Sequence, residues 1–445
     1  MKTMKWKFYS LAFVAGMSIL TACSSDDNND NDGNGGNGNG NEIENGTILK
    51  GTITSDVTLA AGNTYKLSGE YIVEEGATLH IEEGVKIIAV YDDIADYILV
   101  KQGGKINAVG TPDKPIVMTS EKEEPGAWGG IHICGRAHTN AEGGKGSSEI
   151  GGAVYGGNDD ADNSGTLQYI RLEYTGFAFD EEHEANGISF YGVGNGTIVD
   201  HCQAYKGSDD GFEFFGGSVN VSNLVAVSCS DDSFDWTEGW NGKGTNLVAY
   251  QEAESTLGYD CDCLMECDNN GSNNAATPVA HPVLKNLILV GNGGSKQGIR
   301  LRAGTEVEID NAKVCGKGQP LTVETALTEN ALKNGTSKLT NITLTSELSC
   351  KEGIYTHADF IAVTSNKVDA NLSYSSFEDI KKRMQLDERK LGEVKKKKHS
   401  QDYKETHNFF NSVPLECLPA SRGTRCFKKE TKSTVYFFFS SFFNS

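Results

Sequence analysis

Ser208-Asp209-Asp210-Gly211-Phe212-Glu213-Phe214 returns 22 residues later as Ser230-Asp231-Asp232-Ser233-Phe234-Asp235-Trp236. A repeat of roughly 20 to 50 residues is typical of solenoids, in which each coil buries its apolar side chains by stacking on its neighbours. The two copies therefore predict two successive coils, with Phe212 above Phe234 in the interior.

Short alternating segments extend this pattern along the chain. Four of them share one order of polar and apolar residues: Gly165–Ile170, Gly196–His201, Gly217–Ser222 and Thr305–Asp310. Period-2 alternation indicates strands with one apolar face, and we expect Val221 or Leu224 to point inward. No amphipathic helical segment separates these strands, so the fold class is all-β, a coiling parallel solenoid of roughly ten or more coils.

Composition agrees with many short strands and limits the partners. The 445 residues include 52 glycines, and each glycine inside a helix costs roughly 1 kcal/mol relative to alanine. The chain has 61 acidic and 40 Lys and Arg residues, a net charge of −21. Because phosphate binding needs a basic surface, this charge argues against a nucleic-acid partner.

The amino terminus predicts export and a lipid anchor. Lys2, Lys5 and Lys7 precede the apolar run Phe8–Leu20, which is the layout of a signal peptide over residues 1–22. Leu20-Thr21-Ala22-Cys23 resembles the lipobox of bacterial lipoproteins, and that resemblance implies acylation of Cys23; the alternative is a soluble secreted protein.

The residues after Cys23 indicate a cellular location and a flexible tether. Ser24-Ser25-Asp26-Asp27 resembles the export signal of Bacteroidetes surface lipoproteins, which implies an outward-facing position on the outer membrane. Residues 23–44 are rich in Asn, Asp and Gly and predict a flexible tether.

The segments from about 45 to 370 resemble a known fold family. They are Gly103–Thr111, Lys114–Ser120, Gly126–Ile131, the two Ser-Asp-Asp turns, Tyr259–Cys263 and Gly298–Gly304. The chain resembles the right-handed, single-stranded parallel β-helix proteins of the pectate-lyase-like superfold. Within them, it resembles a family of Bacteroidetes surface lipoproteins of poorly defined function. The resemblance implies a fold and no particular reaction, since such β-helices include enzymes, adhesins and scaffolds.

The composition changes after the predicted 45–370 domain. Residues 371–445 contain 15 Lys and Arg residues against nine Asp and Glu residues, and only two glycines. The segment is either a basic appendage for a partner surface or a tail without a selected fold, as after a frameshift. We favour the tail and expect it to add no coil.

The repeated Ser-Asp-Asp turns carry the candidate chemistry. Asp209 and Asp210 should stack on Asp231 and Asp232 in the next coil, and carboxylates that close repel one another. Three interpretations are open: a Ca²⁺ site, a carboxyl with a raised pKa acting as a general acid, or aspartates that only stabilise turns.

The catalytic interpretation has a specific form. The polygalacturonase family also has aspartates on successive coils, and Arg300 in Gly298-Ile299-Arg300-Leu301 resembles a later element of that family. This resemblance implies Asp209, Asp210, Asp231, Asp232 and Arg300 as catalytic candidates for an acidic polysaccharide. The family's His-Gly is missing, because His281 precedes Pro282.

Aromatic and sulfur side chains surround the same coils. Trp236, Trp240 and Tyr259 are candidates for glycan binding, although Phe214 and Trp236 are equally consistent with an interior ladder; Trp240 is predicted on a loop. We expect Cys261, Cys263 and Cys267 to form a disulfide within or between coils, whereas Cys202 and Cys229 fit either a disulfide or buried thiols.

Together these patterns favour a non-enzymatic, surface-exposed lipoprotein whose β-helix binds a glycan or a protein partner. Calcium is the one cofactor that the residues suggest. The alternative is a polysaccharide-active hydrolase or lyase.

Overall fold

The computed structural model describes residues 41–383, except residue 93 and residues 180–182. One sheet of 25 parallel-paired strands coils along this part of the chain. The expected right-handed parallel β-helix is confirmed.

The elements follow one another in chain order. Strands β1 to β9 are Asn41–Ile43, Ile48–Ile53, Val57–Leu59, Thr64–Val73, Thr78–Ile81, Lys86–Ala89, Tyr97–Val100, Lys105–Val109 and Ile116–Ser120. Strands β10 to β18 are Ile131–Cys134, Gly146–Ser147, Val154–Tyr155, Gly165–Glu173, Ile188–Tyr191, Ile198–Tyr205, Phe212–Phe215, Asn220–Val227 and Phe234–Thr237. Strands β19 to β27 are Lys243–Tyr250, Met265–Cys267, Val283–Val290, Gln297–Leu301, Glu308–Cys315, Gln319–Val323, Lys338–Leu344, Ser349–Cys350 and Lys367–Val368. The helices are α1 Glu254–Leu257, α2 Ala326–Asn334 and α3 His357–Ala362, with a 3₁₀ turn at Glu142–Gly144.

Each coil contributes to three faces. The long strands β13, β15, β17, β19, β21, β23 and β25 bend once, so that their first half belongs to face 1 and their second half to face 2. Face 3 is formed by β7, β10, β14, β16, β18, β20, β22, β24 and β26, preceded by the second halves of β2 and β4. Eleven strand segments thus pair in register on face 3 within the described residues, which confirms ten or more coils.

A ladder of asparagines forms the corner between faces 1 and 2. Asn223, Asn246, Asn286, Asn311 and Asn341 all have φ between 56° and 63°, a left-handed conformation that asparagine tolerates. Asn246 donates to Asn223 Oδ1 at 2.8 Å and accepts from Asn286 Nδ2 at 2.9 Å. The side-chain amides therefore connect successive coils along this corner.

The interior contains stacked apolar side chains. The Phe212 and Phe234 rings stack with centroids 5.6 Å apart, and Val221 and Leu224 are buried, as expected. Trp240 lies on the turn between β18 and β19, which confirms its predicted loop position, but its side chain points into the interior. Its indole is 1% exposed and stacks on Phe214 at 4.2 Å.

The packed part of the chain extends beyond both predicted boundaries. β1 begins at Asn41, inside the predicted tether, and pairs with β3. After residue 370 no strand is added within the described residues, but Tyr374 and Ile380 pack on Val225 and Val248 of face 2. The chain up to residue 383 therefore contributes to the folded unit. Residues 384–445 lie outside the described part, as do Cys23 and the predicted signal peptide.

The described cysteines are free thiols. Cys134, Cys202, Cys229, Cys261, Cys263, Cys267, Cys315 and Cys350 all lack a disulfide partner in the structure. The expected disulfide among Cys261, Cys263 and Cys267 is therefore not formed, and these three side chains pack as small apolar groups. No helix in the described part of the chain is both long and apolar enough to cross a bilayer.

Candidate functional site

Hydrogen bonds between side chains and backbone groups place the two Ser-Asp-Asp turns directly above one another at the start of face 3. The Asp210 carboxylate accepts a hydrogen bond from the Asp232 amide at 2.8 Å, and Asp232 in turn accepts one from the Cys263 amide at 2.6 Å. Ser230 donates to the Ser208 carbonyl at 2.6 Å in the same way. The 22-residue spacing therefore stacks the turns, and Asp210 and Asp232 partly serve to stabilise them.

Gly211 permits this close stacking. A Cβ atom at Gly211 would approach the Ser233 carbonyl oxygen to 2.7 Å, so the first turn needs a residue without a side chain. The second turn has Ser233 at the matching position, and that serine is fully buried.

Three carboxylates converge at these turns. Oxygen atoms of Asp209, Asp210 and Asp231 all lie within 4.8 Å of one another. Burial and the neighbouring charge of Asp231 raise the pKa of Asp209 to about 8. Partial desolvation, with the charges of Asp262 and Glu266, raises the pKa of Asp231 to about 6. These carboxylates strongly disfavour being ionised together without a compensating cation.

A second group shares Asp210 and extends the site along the outer surface of face 3. Oxygen atoms of Asp210, Glu213 and Asp235 also lie within 4.8 Å of one another. Glu213 and Asp235 are register partners on β16 and β18. Desolvation raises the pKa of both carboxyls well above the usual range. We call Asp209, Asp210, Glu213, Asp231 and Asp235 the acidic cluster.

Two buried oxygen atoms, one within the acidic cluster and one next to it, lack hydrogen-bond partners within the described residues. Asp235 Oδ1 and Asn186 Oδ1 are buried and accept no hydrogen bond within the described residues. Asn186 donates through Nδ2 to Glu213 at 2.5 Å and to Ser189 at 3.0 Å, so its side chain is fixed against the cluster. A buried oxygen without a partner costs free energy, and a bound cation or water would remove that cost.

The basic side chains on face 3 lie on later coils and pair with other carboxylates there. Arg300 pairs with Glu266 at 3.1 Å and with Glu324 at 3.2 Å, and Arg302 pairs with Asp268 at 2.7 Å. In the described part of the chain, none of the five carboxylates of the acidic cluster forms an ion pair within 4 Å. Arg300 therefore shares the face with the cluster but is engaged by other carboxylates.

Asp232 lies apart from the four-aspartate arrangement that the sequence suggested. It forms a different group with Asp262 and Cys263. Burial raises the pKa of the Cys263 thiol, whose sulfur lies 3.3 Å from Asp262 Oδ1. The structure thus reduces the candidate calcium ligands from the turns to Asp209, Asp210 and Asp231, and adds Glu213 and Asp235.

A loop from an earlier coil supplies another carboxyl. Tyr191 donates to Glu149 at 3.1 Å, and burial raises the pKa of Glu149 to about 7. The charge of Glu149 also raises the pKa of Glu213. Nothing in the local sequence around Glu149 or Asn186 indicates this position, because both reach the site through long-range packing.

The aromatic candidates do not line the acidic cluster. Trp236 is fully buried and donates through Nε1 to Thr305 at 3.0 Å, and Trp240 donates to the Val219 carbonyl at 3.2 Å. Both indoles belong to the core, so their predicted contact with a ligand does not fit the structure. Tyr259 is half-buried and lines a cavity beside face 2.

The fold and this site define a class: a parallel β-helix with an acidic cluster on the outer surface of one face. Residues 51–389 match the pectate-lyase-like β-helix domain, and the chain belongs to that family. No curated protein and no solved structure matches the chain.

Proposed function

We propose that this chain is an outward-facing outer-membrane lipoprotein whose β-helix binds an acidic glycan through a divalent cation at the acidic cluster. The observation that carries the proposal is the convergence of Asp209, Asp210 and Asp231 within 4.8 Å without a basic partner among the described residues.

The geometry fits calcium. Calcium binds oxygen ligands at about 2.3 to 2.6 Å, so two ligands of one ion are at most about 5 Å apart. The carboxylate oxygens of both groups fall within that span. The unpartnered Asp235 Oδ1 and Asn186 Oδ1 are oxygen atoms, which are the ligands that calcium prefers.

A bound cation would also offset the electrostatic repulsion between this acidic protein and an anionic ligand. The chain carries a net charge of −21, which repels a polyanion. A calcium ion with an open coordination position would bind a glycan carboxylate directly, so that protein and ligand share the cation. Glycan binding would then require calcium, and calcium chelation would abolish it.

The test measures binding of the full-length protein to polygalacturonate and alginate with calcium or with EDTA. We expect calcium-dependent retention, and we expect Asp231→Asn to reduce it about tenfold or more. Asp113→Asn, an exposed aspartate on a distant turn, is the matched control and should bind like the wild type. Equal retention with calcium and with EDTA would refute the proposal.

The membrane part of the proposal rests on the amino-terminal sequence. Acyl chains at Cys23 would contribute about 0.8 kcal/mol per buried methylene and need no spanning helix. Cys23→Ala should move the protein from the membrane fraction to a soluble or unprocessed form. Protease added to intact cells should degrade the wild type, and full protection would instead indicate the periplasmic side.

A polysaccharide-active enzyme is the second candidate, and Glu149 is the observation in its favour. A carboxyl with a pKa of about 7, whose charge also acts on a second carboxyl, Glu213, is suited to donate a proton at neutral pH. Glu149→Gln should abolish release of reducing ends or of unsaturated products from the same polysaccharides if that activity exists. Absence of products with the wild type would leave binding as the function.

A further inference from the structure

A second concave site lies on another face of the β-helix. A cavity of about 690 Å³ opens beside face 2, bounded by the Glu123–Pro125 loop, by α1 and by Phe377. None of the acidic-cluster residues lines it. Its volume falls in the range of about 300 to 1,000 Å³ that is usual for small-molecule sites.

Four tyrosines line this cavity, which we call the tyrosine groove: Tyr174, Tyr205, Tyr250 and Tyr259. Tyr259 donates to the Ser228 carbonyl at 2.7 Å, which fixes its ring. Tyr174 meets Tyr205 edge to face at 5.9 Å, and the Arg171 guanidinium lies 4.4 Å from the Tyr205 ring centroid. The groove therefore has aromatic walls that are ordered before a ligand arrives.

Of the charged side chains that line the groove, all but the exposed Glu123 form an ion pair within the described residues. Arg171 forms an ion pair with Glu173, and Lys206 forms one with Glu252 at 2.9 Å. At the rim, Glu124 pairs with Lys122 at 2.8 Å. A charged ligand would compete with these pairs, so the groove favours a neutral ligand.

The floor of the groove requires a ligand with polar groups. Gln203 is 5% exposed and accepts from Arg171 Nη1 at 2.8 Å, which fixes its amide plane. No hydrogen bond within the described residues uses the Gln203 Nε2 donor. A wholly apolar ligand would desolvate this donor without replacing its bonds to water.

We propose that the tyrosine groove binds a neutral oligosaccharide of a few hexose units. A pyranose ring presents C–H groups to a tyrosine face and hydroxyls to Gln203 and to the tyrosine hydroxyls. This site is separate from the calcium-dependent one and goes beyond the function proposed above.

The experiment is isothermal titration calorimetry of the full chain with maltohexaose, cellohexaose, mannohexaose and laminarihexaose, all in EDTA. At least one of the four should bind. Tyr259→Ala should weaken that binding about tenfold or more, because truncation of a central aromatic contact typically costs over 1 kcal/mol. Tyr259→Phe retains the ring and should stay within about threefold of the wild type. Ile198→Ala removes an exposed apolar side chain on face 1 and should change nothing.

Gln203→Glu is the second variant and keeps the acceptor for Arg171 while it removes the donor. It should also weaken binding about tenfold, which keeps the proposal testable if Tyr259→Ala fails to fold. Absence of binding by all four sugars at millimolar concentration would overturn the proposal, as would wild-type affinity in both variants. Since EDTA is present throughout, neither result affects the calcium-dependent site.

Discussion

Calcium binding at the acidic cluster should release a proton. Asp209 has a pKa of about 8, so roughly 90% of this carboxyl is protonated at pH 7, whereas Asp231, with a pKa of about 6, is mostly ionised. Burial also raises the pKa of Asp210 well above its ordinary value, so a cation that needs all three as carboxylates must displace at least one proton. The calcium affinity should therefore rise at least about tenfold per pH unit between roughly pH 6.5 and 7.5.

Calorimetry in buffers of different ionisation enthalpy measures this proton directly. The wild type should release at least one proton per calcium at pH 7. Asp209→Asn should bind calcium more weakly and release about one proton fewer than the wild type, whereas Asp113→Asn should match the wild type in both respects. Calcium binding without proton release, at an affinity independent of pH, would refute the assignment of Asp209 as a ligand with a raised pKa.

Three further predictions concern stability. In EDTA, the melting temperature should fall as the pH rises from about 5 to 8, because the folded state binds the Asp209 proton more tightly than the unfolded state does. Calcium should make this fall smaller. A melting temperature that rises over the same pH range in EDTA would contradict the raised pKa of Asp209. Asn246→Ala should lower the free energy of unfolding by about 3 kcal/mol in urea denaturation, because it removes two hydrogen bonds and puts an alanine in a left-handed conformation. Asn246→Gly should be destabilised by about 1 kcal/mol less than Asn246→Ala, because glycine tolerates that conformation. Ile380→Ala should lower the free energy of unfolding by about 2 to 4 kcal/mol, since Ile380 is fully buried on face 2. The control Ile361→Ala changes an exposed side chain and should alter the free energy of unfolding by no more than about 0.5 kcal/mol. Equal effects of the two substitutions would show that the segment after residue 370 does not stabilise the fold.

The repeat of the Ser-Asp-Asp turn predicted both the fold and the stacking of Asp209 on Asp231. It succeeded because stacked coils repeat their local sequence, and 22 residues separate equivalent positions. The asparagine ladder was missed, although Asn223, Asn246, Asn286 and Asn311 are spaced along the chain. Loops of different length between coils make their intervals irregular, which hides the period.

The parts of the site that the sequence did not reveal depend on long-range packing. Trp240 lies among Gly239, Asn241 and Gly242, a composition typical of a loop, but its ring is buried against Phe214 from the preceding coil. Glu149 reaches Tyr191 from a separate loop. No local pattern encodes either contact, because each is decided by which coil lies next to which.

Anomalous diffraction from crystals of the full chain grown with calcium tests the central claim most directly. The account predicts one calcium peak within about 2.3 to 2.6 Å of carboxylate oxygens from Asp209, Asp210 and Asp231, and its loss in Asp231→Asn crystals. The absence of a peak at this position in crystals saturated with calcium would contradict the calcium site, if the three carboxylates then form hydrogen bonds only within their own turns.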